Sequence, residues 1–206
     1  MKVVVQNLQK RSGLASELVE KYEPDILLAQ EISWSSEPES FQQHSAHNTA
    51  WYGYGTCIYA AQGEITNVRK VNSPHAEIGG FIYKKTILAE WNGVFFVSFH
   101  GYNGQPMKNI ANLVDHVIDV LAQLPTSIPA VFAGDFNTWS QNHLDAVAAP
   151  LAEAGFVHAC SWPYPGREFP LDHVFVRGVE LCNCTVYKSS SDHQGAVLEL
   201  AFSSTS

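Results

Sequence analysis

The segment Pro129-Ala-Val-Phe-Ala-Gly-Asp-Phe-Asn-Thr-Trp-Ser140 joins an apolar run to a carboxylate and a carboxamide two residues apart. Ala130 to Ala133 reads as a buried strand. Side chains alternate along an extended chain, so Asp135 and Asn137 are expected to project together while Phe136 points away. A buried strand that ends in two paired polar groups is either an ordinary turn or one wall of a site.

Working outward, short β-branched or aromatic runs recur at Val3–Val5, Ile26–Leu28, Thr56–Tyr59, Phe81–Tyr83, Val94–Phe99, Val174–Val176, Thr185–Tyr187 and Ala196–Phe202, each read as a strand. One strong helical period places Ile110, Leu113, Val114, Val117, Ile118 and Leu121 on one face before Pro125. Weaker helical patterns cover about residues 12–22 and 141–154, the latter ended by Gly155. Many strands and few helices, with several strands in direct succession, predict an α/β protein of two packed sheets with helices outside. The stretches 32–55 and 158–170 read as irregular, and loops of that length in a compact domain are often functional.

The chain has 206 residues, of which 46% are hydrophobic, enough for one domain over residues 1–206. A formal net charge of -8 disfavours a broad basic surface of the kind that holds nucleic acid by displacing counterions, and leaves either small anionic substrates or a metal that supplies the missing positive charge. The apolar run near the start is only Val3-Val4-Val5, and no later stretch reaches bilayer length, so a cytoplasmic location without membrane contact is expected, in a monomer. Cys182 and Cys184 are placed on one face of a strand, and Cys57 and Cys160 are isolated. Buried free thiols are therefore expected.

The chemistry gathers where strands end. Val3–Val5 leads to Asn7, Ile26–Leu28 to Gln30-Glu31, Val94–Phe99 to His100, and Ala130–Ala133 to Asp135 and Asn137. Asp172-His173 opens one strand and Ser191-Asp192-His193 precedes another. Asp and Asn favour turns in any protein. Jointly, though, carboxylates, carboxamides and histidines are the inventory that holds a hard divalent cation, activates water and protonates a leaving oxygen.

The ordered set Gln6-Asn-Leu8, Pro24-Asp-Ile-Leu-Leu-Ala-Gln-Glu31, Ser98-Phe-His100, Gly134-Asp-Phe-Asn137, Leu171-Asp-His-Val-Phe-Val176 and Ser191-Asp-His193 resembles the endonuclease/exonuclease/phosphatase superfamily over nearly the whole chain. The run GDFNTWS, LDHVFVRG and SSDH is also similar to a bacterial subgroup of it. The resemblance implies a four-layer α/β/β/α sandwich, with two mainly antiparallel sheets face to face. It implies a Mg²⁺ ion, with Mn²⁺ as the alternative, held by Glu31 with Asn7 and Asp192 completing or flanking the site. Asp135 would deprotonate the attacking water beside Asn137. His193, fixed by Asp172, would donate to the scissile phosphate, with His100 protonating the leaving oxygen or binding phosphate. Asn7 is also read as a substrate contact.

Three positions depart from the pattern. Gln9 stands where abasic-site endonucleases carry an acidic residue, and His173 stands where tyrosine is common and is read as structural. Glu77 is only a candidate for the glutamate that supports the first histidine in deoxyribonuclease. Outside the motifs, Trp34, Trp51, Tyr52, Tyr54, Trp162, Tyr164 and Phe169 either pack or stack on bases, and Arg167 is read as a phosphate contact. His44 and His47 read as a solvated pair rather than a metal site. The leading expectation is a Mg²⁺-dependent phosphodiester hydrolase acting on DNA or RNA. The alternatives are a phosphatase or phosphodiesterase on small or lipid phosphates, and a catalytically silent binding module.

Overall fold

The computed structural model describes residues 1–77, 80–104 and 109–202. Its strands are β1 (Lys2–Asn7), β2 (Ile26–Ile32), β3 (Ser45–Thr49), β4 (Gly55–Ala60), β5 (Thr66–Asn72), β6 (Lys85–Trp91), β7 (Val94–His100), β8 (Ala130–Asp135), β9 (Val157–Trp162), β10 (Asp172–Arg177), β11 (Val179–Tyr187) and β12 (Gly195–Phe202). The helices are α1 (Leu14–Tyr22), α2 (Glu39–Gln43), α3 (Ile110–Leu121) and α4 (Gln141–Glu153). One six-stranded sheet runs β11-β12-β1-β2-β4-β3 and the other β5-β6-β7-β8-β10-β9. Among the described residues only the β1–β2 and β7–β8 pairings are parallel, so both sheets are mainly antiparallel, as expected.

Period-two alternation builds the layers. Val3, Val5, Val131 and Ala133 face the core between the sheets, while Val4 packs outward with Leu14, Ala15 and Leu18 of α1. Ala130 and Phe132 point outward on the other side, against Leu113, Val117 and Val120 of α3 and Val147 and Leu151 of α4. Three apolar layers thus separate four layers of structure, giving the α/β/β/α sandwich. Asn109 starts α3 by accepting the Ala111 amide (3.0 Å), and Ser140 caps α4.

Several local expectations are corrected. Phe81–Tyr83 is not a strand; these residues are exposed and irregular, and the pairing begins at Lys85. The stretch 32–55 holds α2 and β3, and 158–170 begins inside β9. β3, β5 and β9 are sheet edges or border one face only, so their sequences lack the continuous apolar run of a central strand. A register shift between Leu181 and Asn183 in β11 separates the two nearby thiols: Cys182 is exposed and Cys184 half-buried. Cys160 is not isolated, because its sulfur lies 3.1 Å from that of Cys184.

Candidate active site

Strand register brings the distant motifs together. Across the second sheet, His100 of β7 is the direct partner of Asp135 of β8, which in turn faces Asp172 of β10. Across the first sheet, Asn7 of β1 is paired with Gln30 of β2. The sandwich thus ends in two rows of polar side chains that look toward one another. Gly134 makes the close approach possible. Its φ is +139°, and a Cβ there would lie 2.2 Å from the Phe99 carbonyl oxygen.

Asp135 Oδ2 is the centre of the arrangement. It accepts from Asn7 Nδ2 (3.0 Å) and Asn137 Nδ2 (3.3 Å), and lies 3.6 Å from His100 Nε2 and 3.8 Å from His193 Nε2. Its other oxygen accepts the Asn137 backbone N–H at 2.8 Å. Asp135 and Asn137 therefore do pair, but not through strand alternation. β8 ends at Asp135, Asn137 has φ +54°, and the contact is a turn closed by the Asp side chain onto the amide two residues on. Phe136 points into the helix-side core, as expected.

His193 Nδ1 pairs with Asp172 Oδ2 at 2.8 Å. Burial works against charge on this ring, but the carboxylates of Asp172 and Asp135 outweigh it and push the pKa up to about 9. Burial raises Asp135, while His193 opposes the shift and Asp172 reinforces it. His100 behaves in the opposite way: burial, then the charges of Lys84 and His193, drive its pKa well below the ordinary value. The neutral ring accepts from Lys84 Nζ at its Nε2 (2.8 Å). Lys84 was not singled out by any sequence motif; it lies in the irregular segment before β6. Glu77 reaches this histidine only through that lysine, at 3.7 Å, and its other oxygen accepts the Asn103 amide at 2.6 Å.

Glu31 sits on a bulge between Gln30 and Ile32, with φ +52°. Gln9, Lys10, Glu31 and Asn137 are four of the seven non-glycine residues with positive φ among the described residues, and all four border this end of the sandwich. Such strain collects at functional sites, and the bulge re-aims a side chain that regular pairing would bury. The Glu31 carboxylate is partly exposed, 3.6 Å from His100 Nε2. It also borders a cavity of about 290 Å³ shared with Lys10, Tyr52, Tyr54, Lys84 and His100.

The remaining predicted residues lie around this centre. Asp192 is exposed, and its carboxylate accepts from Tyr164 Oη at 3.1 Å. The Tyr164 ring meets that of His193 edge-on at 4.7 Å, and the Arg167 guanidinium lies 4.2 Å over Trp139 and 5.5 Å from Tyr164. Gln9 accepts the Asp192 amide at 3.3 Å. His173 faces away from Asp172, onto Thr138 Oγ1 and His158. Trp162 is buried and donates to the Gln194 carbonyl (2.9 Å), Trp34 stacks on His47, and Trp51 is exposed.

The oxygen donors at this end fit a hard divalent cation in kind: Asp172 Oδ1 is buried with no hydrogen-bond partner among the described residues, and the Glu31 carboxylate opens on the cavity. No helix among the described residues is long and apolar enough to cross a membrane.

The sequence pattern of the Endonuclease/Exonuclease/phosphatase family matches residues 5–193. A UPF0294 protein of Vibrio vulnificus (strain CMCP6) is 32% identical over 118 residues, which cover 54% of this chain and 41% of that protein, so the match spans well under half the relative's length. Among solved structures, the endonuclease/exonuclease/phosphatase from Beutenbergia cavernae superposes with a TM-score of 0.74 at 17% identity, covering 98% of this chain and 71% of that one. An AP endonuclease from Archaeoglobus fulgidus gives 0.71 at 15% identity, covering 98% and 99%. At such identities the likeness is one of fold.

Proposed function

The chain belongs to the Endonuclease/Exonuclease/phosphatase family, whose members are phosphoester hydrolases that generally depend on a divalent metal, and from that premise we propose that it is a Mg²⁺-dependent phosphodiester hydrolase acting on nucleic acid. The observation that carries the reading is the meeting of Asn7, His100, Asn137 and the Asp172–His193 pair around Asp135 Oδ2.

In this reading Asp135 is the general base. Burial makes its carboxylate a better proton acceptor, and the two carboxamides hold it in one orientation. His193, kept cationic by Asp172, directs Nε2 toward the same space and donates to a phosphoryl oxygen, so that its charge meets the charge that grows in the transition state. Neutral His100 positions the Lys84 ammonium, which gives the phosphate a second cation. Glu31 and Asn7 would hold Mg²⁺ or Mn²⁺, with Asp192 completing or flanking that site. When bound, the metal supplies Lewis-acid polarisation of the phosphate and neutralises charge on the leaving oxygen.

The preference for a polymer rests on cations at both flanks. Lys10 and Lys84 line the cavity beside Glu31, and Arg167 stands on the far side of His193, beyond Tyr164. A substrate with phosphates before and after the scissile one would use both. The second reading, a small-molecule phosphatase, is favoured by the net charge of -8 and by the size of the cavity, about 290 Å³.

The test compares Mg²⁺-dependent turnover of plasmid, single-stranded oligonucleotide and bis-(p-nitrophenyl) phosphate with that of simple monoesters. Cleavage of the polymer and the diester, abolished by chelation, is expected. Turnover of monoesters with nucleic acid left intact would select the second reading.

A further inference from the structure

At one edge of the sandwich, Cys160 of β9 and Cys184 of β11 approach each other from opposite sheets. Their sulfurs are 3.1 Å apart, closer than two sulfurs in van der Waals contact and about 1 Å from bonding distance. Both residues are half-buried against the core between the sheets. A small reagent can therefore reach them, while the strands hold their backbones in place. The other two thiols differ. Cys57 is fully buried, and Cys182 is exposed with no sulfur beside it among the described residues.

We propose that Cys160 and Cys184 form a thiol–disulfide exchange site, which low-molecular-weight disulfides oxidise to a covalent cross-link between the edges of the two sheets. The hydrogen bond sets the order of events. The Cys160 S–H donates to Cys184 Sγ, which holds the proton on Cys160 and lowers the pKa of Cys184. The Cys184 thiolate attacks one sulfur of the small disulfide, forming a mixed disulfide and releasing the other half as a thiolate. Cys160 then gives up its proton and attacks Cys184 Sγ, forming the Cys160–Cys184 bond and expelling the second small thiolate. Two electrons and the two cysteine protons leave as two molecules of small thiol.

The cross-link closes a ring over residues 160–184. That ring contains Tyr164, Arg167 and Asp172, so oxidation ties down both ends of the segment that borders the catalytic groups. The site stands apart from the proposed hydrolysis, and neither requires the other.

The experiment treats the reduced full chain with oxidised glutathione without air, quenches in acid, blocks remaining thiols with N-ethylmaleimide and maps the peptides by mass spectrometry. The expected result is loss of two of the four thiols, with one peptide joining positions 160 and 184, unchanged in Cys182→Ser. Cys160→Ser should instead accumulate glutathione on Cys184, because the resolving thiol is gone. Cys184→Ser should leave Cys160 unreacted. The proposal is overturned if the native protein carries stable glutathione on Cys184 while Cys160 is recovered blocked by maleimide. It is equally overturned if the cross-link joins Cys182, or forms only after denaturation.

Discussion

Four buried histidines among the described residues divide between the helix side of the second sheet and the polar end of the sandwich, and the contrast separates packing from chemistry. His116 and His173 lie on the helix side, each with a threonine hydroxyl at Nε2, and burial pushes the pKa of both down to about 3. His193 is nearly as buried at the sandwich end, yet it is pushed up to about 9 because two carboxylates converge on it. Burial alone neutralises an imidazole. Holding His193 charged takes Asp172 at 2.8 Å and Asp135 at 3.8 Å, each contributed by a different strand of the second sheet. His100 is the intermediate case: carboxylates stand 3.6 Å away on two sides, but burial, reinforced by the neighbouring Lys84 ammonium, keeps the ring neutral.

The comparison can be broken most severely at His193. His193→Ala should lower diester turnover by about 10³-fold through kcat, since the lost donor acts on charge that develops in the transition state. Steady-state kinetics with bis-(p-nitrophenyl) phosphate measures it. Asp172→Asn keeps the shape but removes one of the two carboxylates that outweigh burial. We expect about 10²-fold loss in kcat and an alkaline limb moved below the wild-type position near pH 9. The sign follows from the raised pKa: the cation is fully present below the ordinary histidine value and is lost as pH climbs through about 9. An unmoved limb would detach His193 from the pH profile.

A smaller effect sharpens the substrate reading. Lys84→Met and Arg167→Met should each raise KM for an oligonucleotide by about tenfold, the cost of one charged phosphate contact. On bis-(p-nitrophenyl) phosphate, which has no flanking phosphates, Arg167→Met should change little. Equal losses on both substrates would remove Arg167 from substrate binding.

The smallest effect lies in the packing histidines. With a folded pKa near 3, His116 stays neutral while the unfolded chain takes up a proton, so stability is full above pH 6.5 and falls as the pH drops toward 3. Between pH 6.5 and 5 this amounts to about 1.5 kcal/mol. His116→Leu should lose about that much less over the same interval in urea titrations, with activity at neutral pH unchanged.

The polar rows at the strand ends were legible in the sequence because central strands carry unbroken apolar runs that stop abruptly at Asn7, His100 and Asp135. The edge strands β3, β5 and β9 were not, as in β5, which is polar and mostly exposed along its length. Nor was the bulge at Glu31, which depends on a register shift between β2 and β4 rather than on any local propensity. Lys84 carries no motif and reaches His100 only because β6 and β7 lie side by side. The pairing of Cys160 with Cys184 joins two sheets, so no spacing along the chain announces it. Asp135 and Asn137 were the right pair for an incomplete reason: alternation suggested the contact, and a side-chain turn makes it.

The most direct measurement is Mg²⁺-dependent hydrolysis of bis-(p-nitrophenyl) phosphate by the wild-type chain and by Asp135→Asn, with thermal unfolding of both recorded alongside. Turnover is expected in the wild type, with a loss of about 10³-fold or more in a variant that still unfolds cooperatively. A folded Asp135→Asn variant with wild-type turnover would contradict the assignment of Asp135 as the general base.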